Sequence, residues 1–282
     1  MNQELRAKIL KSRLLPILVF PYRFLLMSRH LFCHIKLSLA WLCRSREFAN
    51  FTYDLTPANK HHLAWFISGI CNVPVQEIES YFLELESNNY LRQHIETHLR
   101  ANRRGKEING QAFFGRRLGW YAIVRSIKPA LVVETGTEKG LGSLVIADAL
   151  IRNGGGRLVT VDIESQSGLL LGGIWARVIE HLVGDSLAVI SRLGAIDLFI
   201  HDSDHSPEHE LREIEQVAPV LSATGIVLSD NSHVTSVLSE WSSRHNRQFS
   251  FFAEKPLNHW YSGAGIGVSV KKSMVQNLSQ LE

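Results

Sequence analysis

The stretch ALVVETGTEKGLG, residues 130–142, decides the fold. Its first half, Ala130 to Val133, is unbroken apolar sequence closing on Glu134. With no polar alternation it reads as a strand buried on both faces. Its second half spaces an acid and three glycines as E-x-G-x-x-x-G-x-G, through Glu134, Gly136, Gly140 and Gly142. Glycines at 136 and 140 permit the tight turn and close backbone approach of a strand-to-helix corner. Apolar residues then recur at helical spacing over 141–152. In an open α/β sheet, ligands gather beyond the carboxyl ends of the strands, so this corner is a candidate ligand loop. The spacing is not the G-x-G-x-x-G that brings backbone against a pyrophosphate. An acid at the strand end also suits a cationic ligand better than a phosphate.

Downstream, the same grammar repeats. Strands are predicted at 158–162, weakly at 188–190, at 196–201 and at 225–229, with helices at 172–181 and 208–221 between them. Two closing strands, 248–253 and 266–271, are joined by a loop holding Trp260 and Tyr261. Together these elements predict an α/β fold: a Rossmann-like, doubly wound, mostly parallel seven-stranded sheet with a helical N-terminal extension. Upstream, Thr56-Pro57 reads as an N-cap followed by a first-turn proline. Helices are predicted from there to Ile70, over 75–87 and over 90–99. The expected organisation is a basic apolar segment at 1–47, a helical cap region at 48–108 and a main domain at 109–282, which opens on a helix over 111–126. His94 and His98 stand four apart, a zinc-compatible spacing without an evident third ligand, so a solvated helix face is expected.

Apolar residues make up 45% of the 282 and charged residues 20%, an ordinary globular composition. The net charge of +3 is too mild to imply nucleic acid, but it is unevenly placed. Residues 1–47 hold nine Lys/Arg against Glu4 and Glu47, a net of +7, so the remainder carries −4. The apolar run 14–22 contains Pro16 and Pro21 and is far shorter than the roughly 20 residues of a spanning helix. It also fits a signal peptide poorly. The stretch 6–46 is expected either to lie on an anionic membrane surface or to pack on protein, including a second subunit. Cys33, Cys43 and Cys71 form no metal spacing and no disulfide framework, which suits a reducing cytoplasm, with peripheral attachment at the inner face of a membrane if the segment is an anchor.

Asp162 ends the second strand, where a carboxylate can accept both hydroxyls of a ribose. Asp185 and Ser186 fall where polar groups reach an adenine edge. In series these residues describe a nucleoside pocket. Through VVETGTEKG, TVDIE and VGDS the chain resembles the class I S-adenosylmethionine-dependent methyltransferases over about residues 110–282. The resemblance implies S-adenosylmethionine as cofactor, with Glu134, Gly136 and Gly140 around its methionine part. It also places Asp162 on the ribose and Asp185 and Ser186 by the adenine.

The fourth strand runs into Asp202 and the fifth into Asp230-Asn231. Adjacent strand ends lie about 5 Å apart, so these three side chains can converge as a hard oxygen set for Mg²⁺, Mn²⁺ or Ca²⁺. The pattern resembles the metal-dependent O-methyltransferases, in which a basic residue three positions after the first Asp acts as general base; His205 holds that position. The string DLFIHDSDHSPEH, residues 197–209, is most similar to the branch containing macrolide-sugar O-methyltransferases and cephalosporin hydroxylase-like proteins. The expected acceptor is a small molecule or saccharide bearing a diol. Trp260, Tyr261 and residues 51–53 are expected to complete its cleft. His209 is expected as a first-turn surface residue. A metal-dependent hydroxylase and a non-catalytic S-adenosylmethionine-binding protein stand as alternatives.

Overall fold

The computed structural model describes residues 13, 15–47, 51–101, 111–230 and 232–272. They divide into two units, each described by itself. One holds the chain up to Ser45 with Asn258–Trp260, and the other holds Arg46–Leu257 with the chain from Tyr261 onward.

In the first unit a helical turn, Leu15–Leu18, leads into α1, Phe20–Arg44. Pro21 sits in its first turn, where a missing N–H costs nothing. None of its 25 residues is buried. Trp41 lies against Trp260, with ring centroids 4.9 Å apart. No helix among the described residues is long and apolar enough to cross a membrane.

The second unit contains a seven-stranded sheet of order β3-β2-β1-β4-β5-β7-β6. Its strands are β1 Leu131–Thr135, β2 Arg157–Asp162, β3 Ile179–Val183, β4 Ile196–His201, β5 Leu221–Ser229, β6 Arg247–Ala253 and β7 Gly265–Lys271. The first five are parallel, and β7 runs antiparallel to both β5 and β6. The helices are α2 Pro57–Cys71, α3 Val75–Glu86, α4 Asn89–Ala101, α5 Arg117–Ile127, α6 Leu141–Asn153, α7 Ser186–Ile190, α8 Pro207–Val217 and α9 Val237–Arg244. The expected seven-stranded, mostly parallel architecture is the one found. Thr56 caps α2 through a bond from the Asn59 amide, and left-handed Asn72 ends it just before Val73-Pro74.

The third strand departs from the reading. Residues 179–183 form it, whereas 188–190 lie in α7, and the helix expected over 172–181 is a short 3₁₀ turn, Gly173–Val178. Ile179–Val183 lies on a sheet edge with no residue fully buried and no strict alternation, which weakens its strand signal, and Leu187–Ile190 is too short an apolar run to distinguish strand from helix. Gly184-Asp185-Ser186 therefore follows β3 rather than preceding it, which aligns it with the other strand ends.

One continuous core joins α2–α5 to one face of the sheet, with Leu63, Ile67, Leu85 and Ile95 in the same cluster as Val132, Leu144 and Leu198. Helices read as a cap thus share the main domain's core; the basic link at 102–106 lies outside the described residues. A polar pin crosses this layer. Buried Asp148 on α6 accepts from the Asn88 amide (3.0 Å), the Trp175 indole (3.0 Å) and Arg152 Nε (2.9 Å). The neighbouring His94 is also packed rather than solvated: its Nε2 lies 2.9 Å from the Leu170 carbonyl and its ring 4.7 Å from that of Trp175. Asp148→Ala would leave the buried Trp175 indole and the half-buried Asn88 amide without this acceptor. It should lower unfolding free energy by about 2–4 kcal/mol, with urea melts of both proteins as the check. A loss below about 0.5 kcal/mol, the scale of ordinary surface changes, would refute the role given to the pin.

Candidate active site

Register brings the strand ends into line. Thr135 pairs with His201, and His201 with Ser229, so the residues that follow emerge side by side. Backbone bonds continue the alignment beyond the strands: the Gly136 amide donates to the Val161 carbonyl (2.8 Å), Asp202 to Thr135 (2.9 Å) and Asp230 to His201 (3.0 Å). Gly136 has φ +89°, and a Cβ there would stand 2.0 Å from the Asp202 carbonyl oxygen. Only glycine allows the β1 loop to cross so close to the β4 loop.

A cleft of about 980 Å³ opens beyond these ends, walled by Gly136, Asp162, Asp185, Ser186, Asp202 and His209 among others. Asp162 accepts from two backbone amides, Glu138 to one oxygen (2.7 Å) and Glu164 to the other (2.8 Å). Each carboxylate oxygen has a second acceptor site, so two vicinal hydroxyls can still be held. Asp185 caps α7 through the Leu187 amide (3.0 Å) and lies on the wall with Ser186. Lys139 lies on the wall too, its ammonium 4.3 Å from the centre of the Phe51 ring. These polar groups suit a nucleoside, and the cleft has room for one carrying an amino-acid arm.

Glu134 and Gly140 are not among the residues on that wall. Glu134 turns beneath the loop, where its Oε2 accepts from Ser143 and from Thr160 (2.7 Å). Burial raises its pKa to about 7 against the lowering effect of those bonds. Gly142 makes room for it, since a Cβ there would stand 2.6 Å from Glu134 Oε1. Gly140, at φ +90°, turns the chain into α6 and is covered by Leu171.

Under the floor lies Glu213 of α8, fully buried. It accepts from Thr135 (2.7 Å), Ser203 (3.0 Å), Ser186, His201 Nδ1 (2.7 Å) and His209 Nε2 (2.9 Å). Burial opposes its ionisation, but this set of donors overcomes it and lowers the pKa to about 2. An ionised carboxylate only accepts, so both imidazoles present N–H to it and their tautomers are fixed. His201 Nε2 is then left buried without a hydrogen-bond partner among the described residues. His209, read as a surface residue, does lie in the first turn of α8, but its ring faces Glu213 and the cleft.

Asp202 and Asp230 follow adjacent strand ends, close enough for each carboxyl to feel the other's charge. Burial and the Asp230 charge push Asp202 well above the ordinary carboxyl range. Asp230 is buried as well, but the Arg116 guanidinium outweighs the desolvation and holds it below that range. Arg116 binds both Asp230 oxygens, through Nε and one terminal nitrogen, in a bidentate fork. Its other terminal nitrogen donates to the Tyr53 hydroxyl and to Glu254 (3.3 Å), and Tyr53 donates to Glu254 (2.8 Å). Tyr261 packs on Tyr53, ring centroids 5.5 Å apart. Arg117 makes no hydrogen bond or ion pair among the described residues; its Nε is buried without a partner and its guanidinium lies 5.7 Å from the Trp120 ring centre. Sequence reading missed Arg116, Arg117 and Glu254. The one available signal was the Arg116-Arg117 pair at the mouth of the apolar helix that follows.

This arrangement does not fit the expected divalent metal. The Asp230 charge is already met by a buried guanidinium whose own charge would repel a metal cation, and no group of three His, Cys, Asp or Glu among the described residues could hold an ion. Asn231, the third expected ligand, lies outside the described residues. His205, the expected base, is exposed in the β4–α8 loop with Nε2 4.0 Å from Asp202 Oδ1. Partial burial and then His201 lower its pKa.

A family described as a methyltransferase domain matches residues 133–232, the span from β1 through β5 that builds the cleft. Among solved structures the chain is similar to an O-methyltransferase of Bacillus cereus in complex with S-adenosylhomocysteine. Identity is 14% and the TM-score 0.50, over 69% of this chain and 100% of that one. It is also similar to an O-methyltransferase candidate from Klebsiella pneumoniae, at 14% identity and TM-score 0.51, over 63% and 89% of the two chains. At such identities the likeness establishes the methyltransferase fold. No curated protein sequence matches the chain.

Glu213 makes stability depend on acid in a defined direction. Its folded pKa is depressed from 4.5 to about 2, so its contribution is full above pH 4.5 and is lost as pH falls toward 2. Thermal melts between those limits should show a steeper acid loss for the wild type than for Glu213→Gln, which should also cost about 2–4 kcal/mol at neutral pH. Parallel acid profiles would show that the folded pKa of Glu213 is not depressed.

Proposed function

We propose that this protein transfers the methyl group of S-adenosylmethionine to a hydroxyl of a small molecule or saccharide. The observation that carries the reading is the row of polar strand ends, Asp162 after β2 and Asp185-Ser186 after β3, lining one wall beside the glycine corner after β1. When bound, S-adenosylmethionine supplies a methyl carbon on a sulfonium, already electrophilic. What remains for the chain is to align the acceptor oxygen and accept its proton.

Asp162 holds the ribose hydroxyls in this reading, and Asp185 and Ser186 border the adenine. His205 is the candidate proton acceptor, since a lowered pKa keeps imidazole neutral at pH 7. Asp202, its pKa raised by burial and the Asp230 charge, lies on the cleft wall where an acceptor oxygen can reach it. Arg116 supplies fixed positive charge behind the two carboxyls, and Tyr53 and Tyr261 give the region an aromatic side. A Mg²⁺- or Mn²⁺-chelated diol, the reading drawn from the sequence, would set a dication beside the buried Arg116 guanidinium that already binds Asp230.

Calorimetry with S-adenosylhomocysteine tests the cofactor assignment. Asp162→Ala should weaken binding by about 1–3 kcal/mol, the cost of unpaired ribose hydroxyls; unchanged affinity would remove Asp162 from the site. On a confirmed acceptor, His205→Ala should retain that affinity while kcat falls by roughly 10²–10⁴. Turnover should persist in EDTA, and its abolition with recovery on adding Mg²⁺ would restore the metal reading.

A further inference from the structure

Helix α1 is amphipathic in a way that fits a flat surface. At about 100° per residue, Phe20, Phe24, Met27, Leu31, Ile35 and Leu42 fall within an arc of roughly 80°. All six are between 46% and 68% exposed. Leu25, Phe32 and Leu39 extend the arc to one side, and they too are exposed. The opposite half carries Arg23, Arg29, Lys36 and Arg44, all exposed, with His30 and His34, and exposed Tyr22 and Leu26 stand among them. No acidic residue occurs between Glu4 and Glu47.

Two physical points separate the occupants such a helix could take. A paired helix needs a narrow seam repeating every 3.5 residues. Continuing the 20, 24, 27, 31 spacing on that repeat calls next for 34 and 38, which are His34 and Ser38. The apolar positions instead move to Ile35 and Leu42, following the 3.6-residue period of a straight helix. A wide straight stripe suits immersion at a planar boundary. Cations on the other half, with no acid among them, complement an anionic headgroup layer, where each basic residue adds attraction.

We propose that α1 is an in-plane anchor that holds this protein on an anionic lipid bilayer, with Phe24, Leu31 and Ile35 in the acyl boundary and Arg29 and Lys36 at the headgroups. The proposal is independent of the chemistry assigned to the cleft.

The test is co-flotation of the full-length chain with phosphatidylcholine vesicles, with and without phosphatidylglycerol. The wild type should float with the anionic vesicles, bind pure phosphatidylcholine at least tenfold less (on the order of the loss of several headgroup attractions), and be released by high salt. Two full-length variants separate the contributions: Phe24→Ser/Leu31→Ser/Ile35→Ser on the arc, and Arg29→Gln/Lys36→Gln on the basic half. Each should keep the wild-type melting profile and lose roughly tenfold or more of the anionic-vesicle binding. The idea is overturned by equal binding to both vesicle types, or by variants that float like the wild type. It is also overturned if the lipid-free wild type is a dimer that the arc variant dissociates while neither protein binds vesicles; α1 would then seat a second copy.

Discussion

Glu213 sits on a helix, yet its carboxylate gathers groups from every part of the cleft floor: Thr135 at the end of β1, Ser186 after β3, His201 and Ser203 at the end of β4, and His209 in its own first turn. A buried anion is tolerated only when its acceptor sites are filled. The requirement works in both directions. The donors need the carboxylate, and the carboxylate fixes where each strand end stops and which nitrogen of each imidazole carries a proton. Gly136, Asp202 and Asp230 emerge from this floor, so the shape of the cleft depends on one ionised side chain beneath it.

The second constraint is charge. Asp202 and Asp230 meet in a place too dry for two free carboxylates. Two effects bear on the conflict: burial and the Asp230 charge push the Asp202 carboxyl upward, and Arg116 grips Asp230 with both forks of its guanidinium. The same guanidinium serves Tyr53 and Glu254, tying the chain before α2 and the loop after β6 to the β5 end. A planar five-donor cation suits a site with this many acceptors. Removing it would strand two buried acids, so Arg116 belongs to the stability of the fold as much as to the site.

The seven-stranded order, the glycine corner, and the strand-end positions of Asp162, Asp202 and Asp230 were legible in the sequence, because apolar runs and punctuating glycines are local signals. The third strand was not. It lies on a sheet edge with no residue fully buried, and its true place shows only in pairing with β2. Glu134 looked like a ligand group because it ends a strand, but the space left by Gly142 takes its side chain underneath.

What the sequence by itself determined is the periodic part: which segments are strands and helices, where loops gather, and that two acids stand at neighbouring strand ends. Such features follow from residues a few positions apart. What only the tertiary structure decided is the partner of each charge. Arg116 and Asp230 are 114 residues apart, and Tyr53 and Glu254 are 201 apart. No spacing rule links residues so distant, since their proximity is set by the packing of α5 and the β-strands. The sequence suggested a divalent metal between Asp202 and Asp230; the positive group that the fold brings to Asp230 is the guanidinium of Arg116, because α5 packs beside the β5 end.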